Sequence, residues 1–178
     1  VWQRDEGQFD VEMPVFSANG GSAAYRRAVL DQIGLLDEAF FFSCEDVDLG
    51  WRMQLAGWSC IYAPQAIVYH KLSATGGGRT NSFFDGRNFI YLIVKDYPGS
   101  LLRRHWRAVL RAQWRITSDA LHAWRGDAAR ARLRGQLAGL WGIPRMLRAR
   151  RAVQQSRRVS DAQLMAVLTP VAGSDEPE

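Results

Sequence analysis

Three carboxylates fall within four residues at Glu45-Asp46-Val47-Asp48, ahead of Leu49-Gly50-Trp51-Arg52. A general base must be an ionised group, held rigidly and aimed at a hydroxyl proton, and a carboxylate in the first turn of a helix meets that description. An ordinary role competes. Acidic side chains favour helix N-termini because free N–H groups and the positive end of the dipole lie there. Asp48 and Arg52 also stand at i,i+4, a plain surface-pair spacing, so Arg52 reads as a structural partner and not as a substrate ligand. Other candidates are thinner. His70 ends a strand-like run and is alone. Gly76-Gly77-Gly78 lacks the Gly-Lys-Ser/Thr ending of a phosphate loop and reads as a flexible lid. Arg79 and Arg87 are remote candidates for a diphosphate. Phe40–Phe42 and Trp58 suit either sugar stacking or a core.

The elements that would position these residues follow from periodicity and stop signals. A short alternating stretch near Phe9, Val11 and Met13 suggests a strand. Asn19-Gly20-Gly21 is a turn, after which a helix is expected over 22–33, with Tyr25, Val29 and Ile33 on one face and Gly34 as its stop. A second helix is expected over 45–56, stopping at Gly57, with Leu49, Met53 and Ala56 facing inward. Strand-like runs cover 59–62 and 66–69, split by Pro64. Residues 73–81 read as a loop, and 83–95 as a helix ending before Pro98. A long amphipathic helix is expected over 103–124. Trp106, Val109, Leu110, Trp114, Leu121 and Trp124 lie on one side of it, and Arg104, Arg107, Arg111 and Arg115 on the other. A second such segment over 128–151 is kinked or broken at Pro144. Ser160 and Gln163 make a capping box for a last helix over 161–168, and 170–178 should fray.

The order and spacing of these pieces carry a resemblance. Gly20-Gly21-Ser22-Ala23-Ala24-Tyr25-Arg26-Arg27 is followed by Ile33-Gly34-Leu35-Leu36-Asp37-Glu38-Ala39-Phe40-Phe41. Then come Glu45-Asp46-Val47-Asp48-Leu49 with Arg52, Ala56-Gly57-Trp58, Ala63-Pro64, Val68-Tyr69-His70 and Ser73-Ala74-Thr75. The ordered set resembles the inverting family-2 glycosyltransferases of GT-A type, especially bacterial rhamnosyltransferase-like members that build cell-surface polysaccharide. It is strong over 17–98 and looser beyond. The resemblance implies an α/β fold, a partial GT-A-type (nucleotide-diphospho-sugar transferase) fold with a helical C-terminal appendage. It implies Asp46 as catalytic base, Glu45, Gly20 and Gly21 at the acceptor, and His70 as a ligand of the metal or a group facing the diphosphate. A divalent ion, Mg or Mn, usually neutralises the departing nucleotide in this family, held by an Asp-x-Asp element. Asp46-Val47-Asp48 has that form but sits at the base position, so it is not read as the metal site. No alternating strand–helix series precedes residue 17, so the donor site is expected mostly outside this chain.

Composition bounds the rest. The chain has 178 residues, 47% of them apolar, enough for a buried core and against wholesale disorder. It begins at Val1 with nothing resembling a signal peptide, and so reads as a piece of a longer protein, the acceptor-side, C-terminal portion. Two cysteines, Cys44 and Cys60, make no disulfide framework and fit a reducing cytosol, a Cys44–Cys60 bridge being the lesser alternative. The net charge of +5 is unevenly spread. Up to residue 102 there are 8 basic and 12 acidic residues, whereas 103–158 carry 15 Arg against Asp119 and Asp127, a net of +13. Trp and Arg divided across one helix suit an anionic membrane surface, with simple packing on the catalytic half as the rival and nucleic acid ranked last. Three regions are therefore expected: 1–100 as the acceptor-side half, 101–170 as an Arg-rich helical appendage and 171–178 as a disordered tail. The function expected is transfer of a sugar, with rhamnose from a dTDP donor suggested by resemblance, to a cell-surface glycan or polyprenyl-linked acceptor. It would take place in the cytoplasm, peripherally at the inner face of the cell membrane. The alternative is a non-catalytic membrane- or partner-binding module that retains part of the fold.

Overall fold

The acidic cluster opens a helix, as its composition requires. In the computed structural model, which describes residues 6–69 and 78–168, the elements in chain order are β1 (Met13–Val15), α1 (Arg27–Ile33), α2 (Glu45–Leu55), β2 (Cys60–Tyr62), α3 (Arg79–Lys95), α4 (Gly99–His122), α5 (Asp127–Trp141), α6 (Ile143–Gln155) and α7 (Asp161–Val167). Among the described residues the sheet is a two-stranded antiparallel ribbon, pairing Met13 with Tyr62, Pro14 with Ile61 and Val15 with Cys60. The mixed α/β sheet expected from the sequence is thus represented here by this ribbon, and helices predominate.

Several boundaries depart from expectation for identifiable reasons. α1 begins at Arg27 and not at Ser22. Residues 19–22 form a turn closed by Ser22 N–H to Asn19 O at 3.0 Å, and Gly20 N–H is bound to α2, so this stretch is held before it can wind. Gly34 stops α1 as expected, with φ of 82° and its N–H on Leu30 O. Residues 66–69 form no strand, and Ile67, Val68 and Tyr69 are exposed. α3 starts at Arg79, four residues before the periodic pattern suggested. The break near Pro144 falls at Gly142, with Pro144 in the first turn of α6, where a missing N–H costs nothing. The capping box is present in full at Ser160 and Gln163.

One apolar core draws on both ends of the chain. Phe40, Trp51, Leu55, Tyr91 and Leu92 pack with Leu101, Met146, Val153 and Leu164. Arg158 N–H also reaches Leu55 O at 2.8 Å, so the last two helices close over the end of α2. α3 and α5 run in the same direction at very close range. A Cβ on Gly135 would lie 2.0 Å from Phe83 O, one on Gly139 3.0 Å from Arg87 O, and one on Gly86 2.4 Å from Arg132 O. The glycines are what allow the two backbones to approach.

Beneath α2 lies a buried charge network. Asp48 is fully buried and accepts from Arg52 at 2.7 and 2.8 Å and from Lys95 of α3. Lys95 also pairs with Asp37 at 2.6 Å, and Arg52 donates to Ile33 O and Leu35 O at 2.8 and 2.9 Å. Arg52 is therefore structural, as its spacing suggested. Asp96 is buried in the same network. Burial, then the charge of Asp48, push its carboxyl up to about 9. Its two carboxyl oxygens have no hydrogen-bond partner. With its carboxyl raised this far, Asp96 carries a proton at neutral pH and adds no negative charge beside Asp48.

Two consequences are measurable. Gly135→Ala should destabilise the chain by about 1–3 kcal/mol, the usual range for overpacking a tight contact, read as a shift in denaturation midpoint. Asp96 holds a proton in the folded chain between its ordinary value of about 4 and its raised one, while the unfolded chain has released it. Stability therefore falls as pH rises through that window. Asp96→Asn, neutral throughout and of the same size, should melt higher than the parent at pH 8, with the gap closing toward pH 5. A pH-independent gap, or none, would show that Asp96 is ionised in the fold.

Candidate functional site

The turn that precedes α2 is unusual in its backbone. Phe41, Ser43 and Cys44 have φ of 57°, 65° and 67°, the left-handed region that non-glycine residues rarely occupy. Each such residue costs on the order of 1–3 kcal/mol and persists only where its surroundings over-determine it. Here the surroundings are α3. Asn88, fully buried, donates to Phe40 O, Phe42 O and Ser43 O at 2.9, 2.9 and 2.6 Å. Arg87 donates to Ala39 O and Phe40 O at 2.9 and 2.8 Å, so it is committed to backbone carbonyls. Phe40 is core, whereas Phe41 is 77% exposed.

The turn delivers Glu45 and Asp46 to one edge of the molecule. Asp46 Oδ2 accepts the N–H of Gly20 at 2.9 Å, and Oδ1 accepts the N–H of Val47 at 2.8 Å. Both oxygens are held by backbone donors, with lone pairs left for another partner. Glu45 lies alongside: a Cβ built on Gly20 would sit 3.6 Å from both Glu45 Oε1 and Asp46 Oδ2. Glycine at position 20 therefore leaves open the space in front of the two carboxylates. Glu45 Oε2 is buried and has no hydrogen-bond partner, an acceptor without a donor. Tyr25 borders the same place. Partial burial, then the charges of Asp46, Cys60 and Glu45, raise its phenol.

The structure thus brings together Gly20, Glu45 and Asp46 across 26 residues of sequence. Gly21 stands beside them, its N–H given to Asn19 Oδ1 at 2.9 Å. His70 lies outside the described residues, as does most of the Gly76-Gly77-Gly78 stretch. Asp46 and Asp48 do not act together, since Asp48 is spent on Arg52 and Lys95 inside. Among the described residues no three His, Cys, Asp or Glu side chains gather as a metal-binding group, so these residues do not by themselves fit a divalent ion. The cysteines are free, and burial with the nearby charges of Asp85, Asp46 and Glu45 pushes the Cys44 thiol up to about 11, which leaves it no nucleophile. Trp58 donates to Gln32 Oε1 at 3.0 Å.

Sequence reasoning missed Asp85, Asn88 and Lys95. A signal was available: Asn88 and Lys95 interrupt the apolar stripe of Phe84, Tyr91 and Leu92 at helical spacing, and a polar residue on an inward stripe must find a partner.

Comparison with known proteins covers the part of the chain that holds this edge. Residues 3–86 match the family described as glycosyltransferase like family 2. Two curated relatives, from Mycobacterium tuberculosis strains CDC 1551 / Oshkosh and ATCC 25618 / H37Rv, are both N-acetylglucosaminyl-diphospho-decaprenol L-rhamnosyltransferases. Each is 36% identical over 104 residues, covering 56% of this chain and 32% of the relative. The chain thus spans about a third of the length of the curated relatives it matches. No solved structure matches it. The matched family implies a GT-A-type nucleotide-sugar transferase fold. With its ordered motifs, its carboxylate edge and these matches, the chain is similar to glycosyltransferase-like family 2 over residues 3–86 and, within that family, to rhamnosyltransferases.

Proposed function

We propose that this chain supplies the acceptor side and the catalytic base of an inverting glycosyltransferase. The observation that carries the reading is Asp46, fixed by two backbone N–H groups beside a second carboxylate with a vacant acceptor oxygen. In this reading the acceptor hydroxyl donates to Asp46 and loses its proton there as its oxygen forms the bond to the anomeric carbon. The bond from that carbon to the nucleotide diphosphate breaks on the opposite face, and configuration inverts. Glu45 Oε2 accepts a further hydroxyl of the acceptor, and Gly20 and Gly21 keep the approach clear. The relatives are named for a diphospho-decaprenol-linked N-acetylglucosamine acceptor and an L-rhamnosyl donor group. We take a polyprenyl-diphosphate-linked sugar as the acceptor class here, and rhamnose from a dTDP donor as the first sugar to test. The family commonly uses a divalent metal. Any such role in this chain rests on His70 or on a donor-binding segment, and no step here is assigned to it.

The same reading places the protein at the membrane. Along α4, Trp106, Leu110, Trp114 and Leu121 are all about half exposed or more, Trp114 at 69%, with Trp124 and Trp141 exposed nearby. Arg103, Arg107, Arg111 and Arg115 border this stripe and are exposed, and Arg107 lies over the Trp106 ring, 5.4 Å from its centroid. No helix among the described residues is long and apolar enough to cross a membrane. An arginine-flanked tryptophan stripe instead suits peripheral seating, with guanidinium groups at lipid phosphates and indoles at headgroup depth.

In the full-length protein, Asp46→Asn should lower turnover of dTDP-rhamnose with N-acetylglucosaminyl-diphospho-polyprenol by at least ~10²-fold, with donor KM little changed. Near-normal turnover would remove Asp46 from the mechanism. For the membrane, the chain should co-sediment with phosphatidylglycerol-containing vesicles and far less with pure phosphatidylcholine. High salt should weaken binding only in part, because burial of indoles is not screened. Absence of binding to anionic vesicles at low salt would leave α4 as a solvent-exposed or partner-covered helix.

A further inference from the structure

The residues that touch Asp46 are not the only ones that bear on where it points. Asp46 follows directly on Ser43 and Cys44, whose left-handed backbone sets the entry direction of α2. Cys44 is the N-cap of α2 yet makes no side-chain cap hydrogen bond, so nothing local to the helix fixes that entry. The fixing comes from α3. Asn88 binds the carbonyls of Phe40, Phe42 and Ser43, and its own Oδ1 accepts from Arg87 Nε at 2.9 Å, which holds the amide in one orientation. Beside it, Ser43 Oγ donates to Asp85 Oδ1 at 2.6 Å, and Asp85 Oδ2 accepts from Arg132 of α5 at 3.2 Å. The turn is thus gripped at carbonyls 39, 40, 42 and 43 and at one hydroxyl, all from α3.

Resting on the reading of Asp46 as base, we propose that Asn88 and Asp85 are positioning residues for glycosyl transfer: they hold the left-handed turn 40–44 that aims Asp46. They act through the backbone of residues 43–45, not by contact with substrate. A purely structural role would lower stability and leave turnover per folded molecule alone. A positioning role lowers turnover itself, because a displacement of about 1 Å at a reacting group costs up to ~10²-fold.

The test uses the full-length enzyme with dTDP-rhamnose and N-acetylglucosaminyl-diphospho-polyprenol, with kcat referred to the folded fraction well below each variant's melting point. Asn88→Asp keeps the size and removes the donor, and should lower kcat by at least ~10-fold with donor KM within about twofold. Asp85→Ala should also lower kcat. Asp85→Asn, which keeps the acceptor for Ser43, should stay near the parent. Combined with Asp46→Asn, neither Asn88→Asp nor Asp85→Ala should reduce turnover further, since an aim has no value once the base is gone. Amide hydrogen exchange should quicken over residues 40–47 in Asn88→Asp while α5 stays protected. Unchanged kcat in Asn88→Asp and Asp85→Ala, or losses that add to that of Asp46→Asn, would overturn the proposal. If Asn88→Asp does not fold, the Asp85 pair decides it alone, that side chain being partly exposed. Failure of the base assignment looks different: Asp46→Asn itself would then turn over normally.

Discussion

Asp48, a carboxylate with no access to solvent, fixes the rotation of α2, and most of the arrangement follows from that. It is bound by Arg52 on its own helix and by Lys95 from α3. Arg52 carries the link on to the carbonyls that end α1, and Lys95 carries it to Asp37. Breaking such a network by removing one partner is costly because a buried charge is left uncompensated, even where the intact network adds little net stability over an apolar one. Its main effect here is geometric. Successive helix residues turn by about 100°, so a residue two positions earlier faces roughly the opposite side. With Asp48 pinned inward, Asp46 has to face outward, toward Gly20. The same constraint separates the two aspartates of an apparent Asp-x-Asp metal element, one being consumed by the interior and the other presented at the edge.

α3 then works on two faces. One presents Asp85, Arg87, Asn88 and Lys95 to the turn and the network. The other accepts α5 at backbone contact through Gly86, Gly135 and Gly139. The left-handed turn cannot hold itself, since none of Phe41, Ser43 and Cys44 is glycine. The energy that keeps it comes from hydrogen bonds to α3, and the rigidity of α3 comes from α5 and the core it shares with α6. Helices rich in arginine and late in the chain are in this way part of what places the proposed base, whatever else their outer surface does.

How much of this was legible in the sequence divides along a physical line. Features that depend on local chemistry were readable: the start of α2 at its acidic cluster, its stop at Gly57, the stop of α1 at Gly34, the capping box at Ser160 and Gln163, and the Asp48–Arg52 pair. Features that depend on distant partners were not. Residues 22–26 have a helical pattern, yet Gly20 N–H is taken by Asp46 and the segment stays unwound. Residues 66–69 look like a strand, but no neighbouring strand among the described residues pairs with them. The Gly135 and Gly139 spacing marks a close helix contact, but only the structure tells which helix lies opposite. At the site, Gly20, Glu45 and Asp46 were named from their resemblance to family motifs. Asn88 and Lys95, which belong to none of the quoted motifs, were visible only as polar breaks in an apolar stripe, and Asp85 gave no such signal.

The charge layout carries the division of labour one step further. The edge that presents Glu45 and Asp46 is acidic, which suits removal of a proton from a hydroxyl and repels a diphosphate. Three cations around α2 are already committed: Arg52 and Lys95 to Asp48, Arg87 to the carbonyls of Ala39 and Phe40. None can turn to a phosphate without releasing α2 or the turn before it. The arginines of α4 stand free on the outer surface, beside tryptophans suited to headgroup depth. On the proposed reading the carboxylates take the hydroxyl's proton and the exposed guanidinium groups meet phosphate, and keeping the two apart lets a base work near a ligand whose charge it would otherwise oppose.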